Sequence, residues 1–232
     1  MKFSNKKITF LFYLFFTISA NFLSAQNTSK IYLDPKYGHD SLSRIECAAN
    51  LSTISEFMKL DLFDYALPSW RKVFNDCPGS SRNIYLYGVR IYRSVIEKEK
   101  KSERQQELID TLMLIYDRRL ENFGQEGLVL GRKGTDLLKY RPDAIPEVYS
   151  YLEKSVMLSG KNTEDDVLVK FMQTSVVQFR KGKIQGQEVI ENYLVITDIL
   201  NQKIASGEKG QAGTALKNVE SIFSESGIES CM

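Results

Sequence analysis

Four thirteen-residue stretches of this chain align without a gap, and their shared pattern leaves little choice of fold. They run over residues 66–78, 112–124, 148–160 and 189–201. The first position holds Ala66, Leu112, Val148 or Val189. Four residues on stands Trp70, Tyr116, Leu152 or Tyr193, and four further on Phe74, Leu120, Val156 or the weaker Thr197. Spacing of i, i+4, i+8 lays one apolar stripe along a helix, because side chains a turn apart share a face. Each stretch closes on Pro78, Gly124, Gly160 or Asn201, all residue types that end helices.

Each striped segment is preceded by a second helical one. The expected pairs are 41–59 with 62–76, 82–101 with 104–122, 126–140 with 145–158, and 164–181 with 187–206, followed by a last helix at 210–224. Alternating apolar runs that would signal strands are scarce, so the fold class is all-α. A helix hairpin leaves one apolar face that only its neighbour can cover, which makes stacking obligatory. The expectation is an α-solenoid of about four hairpins, with repeats at 41–78, 82–124, 126–160 and 164–206, plus the terminal helix. Such an array needs a polar cap. Either 210–224 is that cap or the protein continues beyond Met232, where Cys231 would suit a bridge to a further segment.

The pattern resembles the tetratricopeptide repeat, whose second helix carries Ala, an aromatic and Pro at these spacings. Ala66-x3-Trp70-x3-Phe74-x3-Pro78 is the best match. In the preceding helices, Ile84, Tyr87-Gly88 and Ile91 follow the W-x2-L-G-x2-Y spacing, and Leu130-Gly131-x2-Gly134 repeats part of it. A small residue at the Gly position lets paired helices approach closely. The closing positions are 46, 36 and 41 residues apart (78 to 124, 124 to 160, 160 to 201), against a family period of about 34. A related type of α-solenoid is the other reading.

Residues 1–25 have a different character. Lys2, Lys6 and Lys7 precede a nearly continuous apolar run from Ile8 to Phe16, and Leu23-Ser24-Ala25-Gln26 offers a small residue for cleavage. That is the layout of a secretory signal peptide, cut after Ala25. A membrane anchor is the rival reading, but Thr17, Ser19 and Asn21 interrupt the run below the ~20 residues a spanning helix needs. Residues 26–40 then form an N-terminal extended segment and 41–232 the repeat domain. The whole chain carries 31 basic and 29 acidic residues; removing 1–25 takes three lysines and no acid, leaving 28 against 29. A near-neutral mature chain argues against a nucleic-acid binder. Export places the protein in the periplasm, or at the outer membrane or outside the cell, with no stable membrane span once the signal is gone.

An oxidising compartment bears on Cys47 and Cys77. Cys47 lies two turns into the first helix and Cys77 ends the antiparallel second, so the hairpin brings them side by side. Two buried free thiols are the alternative; the register favours the bridge.

Several longer blocks resemble exported tetratricopeptide-repeat proteins of Bacteroidetes-type bacteria. They are Tyr37-Gly38-x-Asp40-Ser41, Arg44-x-Glu46-Cys47-x2-Asn50-Leu51, Trp70-Arg71-x-Val73-Phe74-Asn75-x-Cys77-Pro78, Ile109-Asp110-Thr111-Leu112-Met113-x-Ile115-Tyr116-Asp117-x-Arg119 and Val129-Leu130-Gly131-Arg132-Lys133-Gly134-x-Asp136-Leu137. The resemblance implies an exported helical repeat protein and no assigned chemistry.

The residues themselves point away from catalysis. His39 is the only histidine, and a lone His in a turn lacks the partners that acid–base work or zinc binding requires. Asp40-Ser41 reads as a helix N-cap. Gly131-Arg132-Lys133-Gly134 lacks the frame and preceding strand of a phosphate loop. Glu164-Asp165-Asp166 reads as a macrodipole-matched helix start capped by Thr163 rather than a Ca²⁺ site. The expectation is a non-enzyme with no cofactor and no metal. In the repeat class it resembles, the first helix of each pair lines the binding surface. Carrying the register over gives Arg82, Tyr85, Tyr92 and Arg93, then Leu128, Arg132 and Asp136, as candidate contacts for an extended peptide or another protein, with envelope components the expected partners. Tyr85 and Tyr92 have a competing role as packing between repeats. A carbohydrate- or peptidoglycan-binding module is the alternative function.

Overall fold

The computed structural model describes residues 33–228; the expected signal peptide, residues 26–32 of the extended segment and Cys231 lie outside them. The described residues form nine α-helices and no strand. They are α1 (Ser41–Lys59), α2 (Phe63–Asp76), α3 (Asn83–Lys98), α4 (Ser102–Phe123), α5 (Glu126–Tyr140), α6 (Ile145–Ser159), α7 (Asp165–Arg180), α8 (Gly186–Ala205) and α9 (Lys209–Ser224). All-α is therefore correct, and every helix lies within one turn of its expected bounds. The chain divides into two compact units, Met1–Glu97 and Lys98–Met232.

In the first unit, α1 starts on a reciprocal cap. Asp40 Oδ1 accepts the Ser43 amide at 2.9 Å, and Ser43 Oγ accepts the Asp40 amide at 3.2 Å. Two donors that a helix start leaves orphaned are thereby satisfied. Helix α1 returns into α2 through Asp61, a non-glycine at φ 53°, whose carboxylate accepts Arg90 Nη2 at 2.7 Å. The expected stripe of α2 is the core: Ala66, Trp70 and Phe74 are all buried. Trp70 stacks on Phe74 with centroids 4.6 Å apart and meets the edge of Tyr92 at 5.3 Å, while Phe74 meets Tyr85 at 5.9 Å. Cys47 and Cys77 lie at disulfide distance, with Cα atoms 6.4 Å apart, so the bridge joins α1 to the end of α2.

In the second unit, α5 packs on α4 and α6, α6 on α7, and α7, α8 and α9 on one another. The closest approach is α5 to α6. A Cβ on Gly131 would sit 2.6 Å from Ser155 Oγ, and one on Gly134 would sit 2.8 Å from Leu152 Cδ2; real Cβ atoms do not come so near. Leu112, Tyr116, Val148, Leu152 and Val156 are buried as expected, Leu120 is half-buried, and Gly124 and Gly160 end their helices at φ 63° and 50°. The fourth stripe differs. Beyond Val189 the fully buried face of α8 shifts to Ile196, Ile199 and Leu200, while Tyr193 is only half-buried and packs at the core margin, stacked on Phe223 of α9 at 4.1 Å. Asn201 does not end α8; the helix runs past it to Ala205 since its neighbours Leu200 and Lys203 are buried. Helix α9 turns Ala212, Ala215, Val219 and Phe223 inward and leaves Gln211, Thr214, Lys217 and Asn218 exposed.

Candidate interaction site

The candidate residues of the first unit divide by role. Tyr85 and Tyr92 are buried in the Trp70 cluster, and Tyr85 Oη donates to the Pro78 carbonyl at 3.1 Å. Arg82 is exposed and Arg93 half-buried. Trp70, the single tryptophan, is 1% exposed, so its ring offers no platform for a sugar.

In the second unit, a polar row runs along α5. Arg132 is half-exposed and forks onto Glu164 at the start of α7, with Nε 3.1 Å from both carboxylate oxygens and Nη2 2.6 Å from one. Planar guanidinium and carboxylate match in this geometry, which fixes direction as well as contact. Lys133 is buried, its Nζ 2.5 Å from Asp117 and over the Tyr151 ring at 4.6 Å. Burial works to lower its pKa, but the hydrogen bonds with Asp117 and Tyr151 outweigh it and hold the ammonium above its ordinary value. Asp136 is buried and accepts Tyr116 Oη at 2.7 Å. Leu128 is half-buried. Of these, Arg132 and Leu128 retain exposed surface, whereas Asp136 is enclosed within the helix packing.

The Gly131–Gly134 segment lies inside α5 as a helix-crossing surface, with no loop to cradle a phosphate. Thr163 does not cap α7: its hydroxyl donates back to the Gly160 carbonyl at 2.7 Å. The three acids after it are engaged through ion pairs, Glu164 with Arg132, Asp165 with Lys203 and Asp166 with Lys170. Among the described residues no group of three or more His, Cys, Asp or Glu side chains is placed to hold a metal ion.

Lys203 is the residue that sequence reading missed. It lies on the buried face of α8, where its Nζ donates to the Thr163 carbonyl at 2.9 Å, pairs with Asp165 and stands 3.9 Å from Glu208. Its signal was available: it continues the apolar stripe one turn after Ile199. A cation on a buried face requires partners, because removing a charge from water costs several kcal/mol. Above this pair opens a pocket of ≈ 710 Å³, bounded by Glu164 and Asp166 of the α7 start and by Gln211, Thr214 and Asn218 of α9. Arg132 and Glu164 thus join the α5 row to the mouth of the pocket.

A second polar cluster ties α6, α7 and α8 together. Tyr149 Oη donates to Glu188 Oε1 at 2.8 Å and accepts Asn192 Nδ2 at 3.0 Å, and Asn192 also donates to Ser175 Oγ at 3.2 Å. Desolvation raises the Tyr149 pKa well above the ordinary phenol value, so the phenol stays a donor.

Among the described residues no helix is long and apolar enough to cross a membrane. The chain matches no family model, no curated protein and no solved structure.

Proposed function

We propose that this protein is an exported, non-catalytic interaction scaffold of tetratricopeptide-like helix pairs, and that it holds a segment of another envelope protein. The observation that carries the reading is the polar row of α5, α7 and α9. There Arg132 and Glu164 lead into a pocket whose rim mixes carboxylates with the amide, hydroxyl and amide groups of Gln211, Thr214 and Asn218. Donors and acceptors spread along several helices suit an extended chain, which presents its own backbone groups at regular intervals. Carboxylates outnumber cations at the rim, so the segment carries a basic side chain. The helix-pair type is supported by the within-pair glycine contacts of Gly131 and Gly134, and export by the Cys47–Cys77 pair.

The test is retention of envelope proteins by the purified chain, with captured proteins identified by mass. A specific partner is expected on the wild type and lost on Thr214→Arg combined with Asp166→Lys, which fill the pocket and cancel its net negative charge. Equal retention by the variant rejects this site.

A further inference from the structure

Helix α1 is held to its unit unevenly. Of the described residues from Ser41 to Thr53, Cys47 alone is buried; Ile54 and Met58 anchor the other half. Glu46 and Lys72 pair at 2.9 Å with both side chains more than half exposed, and Arg44 bonds to the carbonyls of Gly38 and His39 just upstream. Exposed ion pairs contribute little. Leu42 and Ile45, in the same half, are exposed. Meanwhile the Trp70–Phe74–Tyr85–Tyr92 core makes its ring contacts without Cys47. Both cysteines are nearly enclosed, 4% and 3% exposed, and what remains open of them lines a pocket of ≈ 380 Å³ that also touches His39, Glu46, Asn50 and Lys72.

We propose that the Cys47–Cys77 bridge is a redox latch, whose reduction by a dithiol through this pocket frees residues 41–53 and leaves the rest of the unit folded. The dithiol's thiolate attacks one bridge sulfur, forming a mixed disulfide and expelling the other cysteine as a thiolate that takes up a proton. The second sulfur of the dithiol then attacks its own partner in the mixed disulfide, releasing the second cysteine and closing the reagent's disulfide. Two electrons and two protons pass from the dithiol to the bridge. Once freed, a helical stretch of this length with no buried side chain other than Cys47 is marginal in water.

Amide hydrogen exchange on the full chain, with and without dithiothreitol, tests this. The expected result is that amides of 44–53 accelerate by at least roughly threefold more than those of 54–76, as local opening requires. The Cys47→Ala/Cys77→Ala variant should reproduce the reduced pattern. Any smaller difference between the two segments, whether both stay protected or both open together, overturns the latch. A second reading is the opening rate in native buffer. The latch requires bridge opening faster than global unfolding; opening no faster than unfolding overturns it even where the variant fails to fold.

Discussion

The indole of Trp70 lies so close to Gly88 that a Cβ on that glycine would stand 2.5 Å from Cζ2, while Nε1 donates to the Ile84 carbonyl at 2.6 Å. The hydrogen bond fixes the ring in place, so the ring cannot yield to a larger neighbour. Gly88→Ala is therefore expected to destabilise the protein by about 1–3 kcal/mol, the usual cost of overpacking a rigid core, despite alanine's better helix propensity. Urea unfolding followed by tryptophan fluorescence measures it. A stabilised variant would show that α2 and α3 separate more easily than this contact implies.

Lys203 and Asp165 form a buried pair on the inner wall of the pocket. Lys203→Ala strands the carboxylate and the Thr163 carbonyl. It is expected to cost about 2–4 kcal/mol, slightly below the range for fully enclosed pairs because Asp165 keeps some contact with water. The double change Lys203→Met with Asp165→Asn removes both charges and should cost less than Lys203→Ala. Denaturation of the wild type, Lys203→Ala and the double variant checks that order, and adding the single changes Lys203→Met and Asp165→Asn gives the coupling between the two charges.

Arg132 and Glu164 are each 40% exposed, so solvent screens their attraction. Arg132→Ala should change the unfolding midpoint by less than ~1 kcal/mol equivalent. If partner retention falls while that midpoint holds, the loss reports binding rather than folding.

Alkaline pH should weaken the second unit. Tyr149 and Lys133 both have folded-state pKa values above their ordinary 10.0 and 10.5, so the folded chain holds its protons longer than the unfolded one. Their contribution is complete below about pH 10 and is lost as pH rises through the folded values. Urea midpoints taken from pH 8 upward should stay level and then fall above 10, and Tyr149→Phe should flatten that fall. At pH 8 the same variant should cost about 1–2 kcal/mol, because Glu188 and Asn192 lose a shared partner.

At the acid end, Asp40 is held below its ordinary 3.8, first by the Ser43 amide. A depressed carboxylate stabilises above its unfolded pKa and loses that contribution as pH falls through the folded one. The first turn of α1 should fray below about pH 4, read as faster exchange at Ser43 and Arg44.

How far the sequence reaches differs from helix to helix. Ala66–Trp70–Phe74 and Val148–Leu152–Val156 announced helices and their buried faces together, because a continuous apolar stripe closed by Pro or Gly admits one local structure. The small residue at Gly88 announced a close helix crossing, but the helix it meets is α2 of the preceding pair, through Trp70, and not its own partner. Asp40 was legible as a cap, since its bond spans only three residues. Thr163 was misread although its partner is also local: its hydroxyl donates three residues back, to the Gly160 carbonyl. Residues far apart in the chain were not legible. Nothing local says that Asp136 is taken by Tyr116, that Arg132 forks onto Glu164, or that Tyr193 stacks on Phe223. By itself the sequence determined helix positions and the inward faces of the first three striped helices, and it favoured a Cys47–Cys77 bridge over two free thiols, all through periodicity and short-range register. Only the tertiary structure decided which polar side chains are enclosed and which remain at the surface, because that depends on where packing excludes water.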